Sequence, residues 1–227
     1  MKTIGIIGGM SWESTVTYYQ VINETIREEL GGLHSADILL YSIDFAPLAE
    51  MQERDDWDGA AQLMVDAARR LEAGGADFLL IGANTMHKAA PQVEKAVKIP
   101  LLHIAEATAE ELKKDHIRKV GLLGTRYTLL QDFYTGKLKE NGLQVILPEE
   151  VEEVNRIIYE ELCVGVLNDS SKEKLLQYCR ELKEKGAEAV ILGCTELGLL
   201  LKQGDSELPF YDTTLIHARQ AALRSLN

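Results

Sequence analysis

Cysteine is scarce in this chain. Its three residues, Cys163, Cys179 and Cys194, make an odd count with no C-x-x-C spacing and no neighbouring histidine pattern. That excludes a disulfide framework and indicates no zinc site; a reducing compartment, the cytoplasm, fits this usage. Basic residues are outnumbered, 24 Lys and Arg against 36 Asp and Glu, for a formal charge of −12 and an isoelectric point near 4.9. Such a balance opposes a phosphate-backbone or anionic-membrane footprint, so nucleic acid is not expected as a partner. No apolar run approaches the ~20 residues that span a bilayer. Glycines and Glu13 interrupt "MKTIGIIGGMSWES" too early for a signal peptide, and the stretch reads as a first strand.

What is present is a chain written twice. At 227 residues it is long enough for one large α/β domain or two small ones with buried cores. "TIGIIGGMSWESTVTYY" (3–19) matches "KVGLLGTRYTLLQDFY" (119–134), with Gly5 against Gly121, an offset of 116. "GADFLLIGANT" (75–85) matches "GAEAVILGCTE" (186–196) without a gap at an offset of 111, which sets Ala83 against Cys194. "IPLLHI" (99–104) matches "LPFYDT" (208–213), placing His103 against Asp212. Duplicated segments imply a duplicated architecture.

Each half reads as strand, helix, strand, helix, strand, helix, strand. Continuous apolar runs alternate with amphipathic stretches such as "AAQLMVDAARRLEAGG" and "SKEKLLQYCRELKEKG", with Gly74, Gly75 and Gly186 as helix C-terminal caps. This predicts an α/β fold of two pseudo-symmetric domains, residues 1–103 plus 213–227 and residues 104–212, each a parallel sheet flanked by helices. Ligands of such sheets sit beyond the carboxyl ends of the strands, so the expected site is the cleft between the halves.

Four strand-end turns carry the chemistry: "GGMS" (8–11), "GANT" (82–85), "GTRYT" (124–128) and "GCTE" (193–196). At helix N-termini, free N–H groups would hold a carboxylate; equally, Ser11, Asn84, Thr85 and Thr195 are residue types that simply cap helices. Cys194, at a strand end and a helix start, is expected to have its thiol pKa lowered from about 8.5, giving a reactive thiolate. Cys163 and Cys179 lie in helical patterns and read as core. His87 and His217 would either line the cleft or satisfy local backbone groups, and His34, His103 and His116 offer nothing sharper. "GIIGGM" lacks the dinucleotide spacing, with Asp44 its one support. The charge run "QERDDWD" reads as solvated loop, although its Gln52 is placed to reach a cleft.

At these turns the sequence resembles the aspartate/glutamate racemase family, through "GIIGGMSWEST", "ANTMHK", "GLLGTRYT", "GCTELGLLL" and "YDTTLIHA", and its wording is similar to the branch that includes broad-specificity members. The resemblance implies an amino-acid substrate, no cofactor, no metal and a homodimer. It also implies two proton carriers on opposite faces of the substrate α-carbon. One is Cys194; the other position, a cysteine or threonine in the family, is here Ala83. Carried over in the same way, Asn84, Thr85, Thr125 and Thr195 hold the α-carboxylate, Met10 and Gln52 line the pocket, and Glu196 lies close by. Alanine cannot carry a proton, so this half of the site reads as impaired or replaced. No arginine clearly matches the one that aspartate-selective members use, with Arg54 and Arg126 the available candidates. Three readings are compatible with these residues: a racemase, a one-cysteine decarboxylase of the arylmalonate type, which needs a single proton donor, and a non-catalytic amino-acid binder.

Overall fold

The computed structural model describes residues 1–227. The chain divides into two compact units, Met1–Ile104 with His217–Asn227, and Ala105–Ile216.

In the first unit, β1 (Ile4–Gly8), β2 (Ile38–Ser42) and β3 (Phe78–Ile81) form a parallel sheet in the order β2-β1-β3. The apolar run of β1 is buried throughout because helices cover both of its faces. Ile7, Leu79 and Ile81 pack with Met64, Ala68 and Leu71 of the helix Trp57–Ala73 on one side. On the other, Ile4, Ile6 and Leu80 pack with Tyr18, Ile22 and Ile26 of the helix Trp12–Leu30 and with Ala218, Ala221 and Ala222 of the final helix, Thr213–Ser225.

The second unit holds β4 (Lys119–Gly124), β5 (Gln144–Ile146), β6 (Ala189–Gly193) and β7 (Phe210–Asp212), all parallel, in the order β5-β4-β6-β7. The repeat read from sequence extends to register. Gly5 faces Leu79 in one sheet as Gly121 faces Val190 in the other. Leu79 bridges Leu101 as Val190 pairs with Phe210. The expected fourth strand of the first half is only that single bridge, sealed by Leu79 N–H to Pro100 O and Leu102 N–H to Leu79 O, both at 2.9 Å.

Two of the three longest helices begin where their capping residues dictate. Asp56 accepts from Gly59 N–H ahead of Trp57–Ala73, and Asn168 accepts from Ser170 N–H ahead of Asp169–Glu184. Gly75 and Gly186, just after these helices, adopt φ of +97° and +91°, the left-handed region that favours glycine. Gly74 is still right-handed at φ −74°, so it closes the helix without needing to be glycine. No helix is long and apolar enough to cross a membrane.

Candidate active site

In the first unit the turns after β1 and β3 are neighbours, because their strands pair side by side and Gly82 N–H donates to Ile7 O at 2.9 Å. Met10, Ala83 and Met86 share one apolar cluster, and the buried Gln52 directs Nε2 to Met86 Sδ at 3.2 Å. Gln52 is therefore part of this edge, while the rest of "QERDDWD" is mostly solvated, as its composition suggested. Asn84 and Thr85 are buried in the same turn. From Asn84 the chain enters a five-residue 3-10 segment, Thr85–Ala89, which runs on directly into the short α-helix Ala90–Ala96. Neither Ser11 nor Asn84 caps a helix with its side chain.

In the second unit β4 and β6 end together, Gly124 opposite Gly193, which brings Thr125 and Cys194 to one edge. Thr125 does cap: its Oγ1 accepts from Thr128 N–H at 3.3 Å. Cys194 Sγ donates to Glu196 Oε2 at 3.0 Å, and Thr195 Oγ1 donates to the same oxygen at 2.7 Å. The residues after this turn make only a four-residue helix, Leu197–Leu200. The expectation of a lowered thiol pKa is overturned. Burial, followed by the Glu196 carboxylate, pushes the Cys194 thiol well above its ordinary value. Tyr159 lies in a π-helical segment, Ile157–Glu161, near enough for Cys163 and Cys194 to add to the rise that burial imposes on its phenol. No sequence pattern announced Tyr159.

The histidines divide sharply. His87, His103 and His217 are all buried, with ring centroids 4.5 Å apart for His87 and His103 and 5.8 Å for His87 and His217. Ile104 N–H donates to His87 Nε2 at 3.2 Å, so His87 Nδ1 carries the proton and donates to Ala83 O at 2.9 Å. His217 Nε2–H donates to Leu102 O and Nδ1 accepts from Tyr18 O–H, both at 2.8 Å. Both rings thus satisfy local groups, one of the two roles open to them from sequence. Cys179 is buried in the helix Asp169–Glu184, with burial raising its thiol to about 12. Asp44 caps the helix Phe45–Glu53 through Ala46 N–H, which removes the support for a dinucleotide site. Arg54 is an exposed partner of Glu50, and Arg126 binds Tyr127 Oη and Glu152. No group of three or more His, Cys, Asp or Glu side chains is arranged to hold a metal ion.

Two open-edged parallel sheets with polar strand-end turns, one bearing a thiol paired to a carboxylate, define the class: an α/β protein whose chemistry would lie at strand ends. The profile of the Asp/Glu/Hydantoin racemases matches residues 7–221, and the chain belongs to that family. It is 28% identical over 219 residues to the broad specificity amino-acid racemase RacX of Bacillus subtilis (strain 168), covering 95% of each chain. A crystal structure from Yersinia pestis, of a protein assigned to the Asp/Glu racemases, superposes over 100% of both chains at 48% identity with a TM-score of 0.93. PH1733 of Pyrococcus horikoshii OT3, an aspartate racemase homologue, does so at 41% identity, again over 100% of both chains, with a TM-score of 0.86.

Proposed function

We propose that this protein racemises amino acids without a cofactor, with Cys194 as one of two proton carriers at the substrate α-carbon. The carrying observation is the buried Cys194 Sγ–H donating to Glu196 in a strand-end turn of a racemase-family chain. The thiol is poised to deliver its proton to a carbanion. For the reverse step Glu196 accepts that proton along the existing hydrogen bond and leaves a thiolate able to abstract one. On this reading Asn84, Thr85, Thr125 and Thr195 hold the α-carboxylate, and Met10 and Gln52 line the pocket. Likeness to the broad-specificity Bacillus enzyme, and the engagement of Arg54 and Arg126 elsewhere, support a substrate not chosen by a charged side chain.

The test is proton exchange in deuterated buffer over a panel of D- and L-amino acids. The native chain should give α-deuterated product of inverted configuration, and Cys194→Ser should lose inversion by at least ~10²-fold, the scale of one general acid/base. Absence of exchange with every amino acid rejects the proposal. The methyl at Ala83 favours one second reading, a decarboxylase needing only the thiol as proton donor. Carbon dioxide release from a disubstituted malonate, abolished by Cys194→Ser, would establish it instead.

A further inference from the structure

Inversion needs a proton carrier on each face of the α-carbon, since a single group returning its proton to the same face gives exchange without inversion. Ala83 offers a methyl. The neighbouring turn offers little more. His87 has Nδ1 committed to Ala83 O and Nε2 to Ile104 N–H, and is 1% exposed, so neither nitrogen can trade a proton without breaking a bond that shapes the turn. Ser14 and Thr15 donate to Ser11 O, and the Thr15 hydroxyl also accepts from Gly9 N–H. Hydroxyls and amides are in any case poor bases near neutral pH.

Glu13 is different. It stands in the first turn of the helix Trp12–Leu30, which is pressed onto the end of β1: Gly9 N–H meets Thr15 Oγ1 at 2.8 Å, and a Cβ at Gly8 would fall 2.7 Å from Thr15 Cγ2. That strand end is hydrogen-bonded to Gly82, one residue before Ala83. Glu13 Oε2 is buried with no hydrogen-bond partner, alone among the carboxylate oxygens of the chain. Burying a carboxylate oxygen without a donor costs folding free energy. Such a group, in the same helical turn as the Thr15 that meets the end of β1, has a chemical use.

We infer that Glu13 is the second acid/base, serving the substrate face that Ala83 leaves bare; the inference rests on the proposed racemase activity. In one direction the Glu13 carboxylate takes the α-proton as the Cα–H bond breaks, and the electron pair stays on Cα, delocalised into the substrate carboxylate. Cys194 Sγ–H delivers its proton to the other face, and that electron pair makes the new Cα–H bond. Glu13 is then a carboxylic acid and Cys194 a thiolate, the pair required for the opposite enantiomer. Exchange with water restores the starting pair, and no oxidant or reductant enters.

The experiment compares native, Glu13→Gln and Glu13→Ala chains for inversion and for α-deuterium uptake from each enantiomer, after circular dichroism has confirmed the fold. Glu13→Gln should lose inversion by ~10²-fold or more while still exchanging the α-proton of the enantiomer that Cys194 serves. Glu13→Ala should regain at least tenfold of its lost rate with added formate, a rescue no structural role would show. Should both fold poorly, Glu13→Asp, which keeps the charge at shorter reach, is measured, and inversion with kcat reduced at least tenfold at unchanged KM is expected. A native chain that racemises beside a Glu13→Gln chain within threefold of it overturns this inference and leaves the racemase reading standing. A native chain that exchanges nothing overturns that reading itself.

Discussion

Cys194 and Glu196 act on each other before either acts on a substrate. Glu196 is 2% exposed, yet its Oε2 receives both the thiol and the Thr195 hydroxyl, so the carboxylate is compensated by two donors close at hand. The same carboxylate keeps the sulfur protonated, because a neighbouring negative charge and the lack of water both disfavour a thiolate. Replacing the charge by an amide of equal size removes the first of these influences. In Glu196→Gln, made in a Cys163→Ser background to silence the partly exposed thiol, thiolate absorbance near 240 nm should therefore appear at lower pH than in the parent. Inversion should nevertheless fall by ~10²-fold or more, since the group that accepts the thiol proton is gone. A titration unchanged from the parent would mean that Glu196 does not govern the sulfur.

Strand ends, as elements, hold these residues in place, and their tolerance is small. A Cβ at Gly193 would lie 2.8 Å from Leu122 Cδ1 and 2.9 Å from Leu123 O. The second of these is backbone and cannot swing aside. Gly193→Ala should lower stability by ~1–3 kcal/mol, the scale of overpacking, read as a lower urea midpoint with unchanged m-value. At the edge of the second sheet, Gln203 supplies its side-chain amide to both Phe210 N–H and Phe210 O, substituting for a missing neighbour strand. Gln203→Ala should cost ~1–2 kcal/mol for the two bonds and speed hydrogen exchange at the Phe210 amide.

Sequence and structure part company along this same line. Strands β1, β3, β4 and β6 were legible because each is a buried, continuous apolar run, and the matching of Ala83 with Cys194 came from an ungapped repeat. The single-bridge fourth strand of the first unit was not, since one hydrogen-bonded bridge leaves no periodicity. The turns after β3 and β6 looked like helix starts, and their residue types gave no warning that the first opens as a 3-10 segment and the second stops after four residues. The thiol was misjudged for a related reason: its pKa depends on three-dimensional burial and on a carboxylate two residues along, whereas only the strand-to-helix position could be read. Glu13 was legible merely as an interruption of an apolar stretch.

At the scale of the whole molecule, the first unit is assembled from distant stretches of chain, and its histidines sit where they meet. Tyr18 lies beyond β1, His87 beyond β3, and His217 belongs to the returning C-terminal segment, which also ties Ser225 O to Lys2 N–H. The hydrogen bonds of His87 and His217 require both imidazoles to be neutral in the folded chain. Burial is the largest cause that lowers each: His217 falls to about 3, and His87, with His103 and His217 adding to the effect, falls well below its usual value. In the unfolded chain both titrate near 6.5. Between pH 6.5 and those lowered values the unfolded state binds more protons, so stability is full above about 6.5 and is lost as the pH falls. His217 alone costs ~2 kcal/mol at pH 5, and His87 steepens the fall in the same direction. Trp12 and Trp57, the chain's two tryptophans, both lie in this unit, so their fluorescence reports its unfolding selectively. Urea unfolding free energies at pH 7, 6 and 5 should fall steeply in the native chain. In His217→Gln the same slope should drop by about half, because one of the two titrations is removed while relief of the −12 net charge on acidification acts equally on both chains. Parallel slopes would show that His217 is not held neutral by the fold.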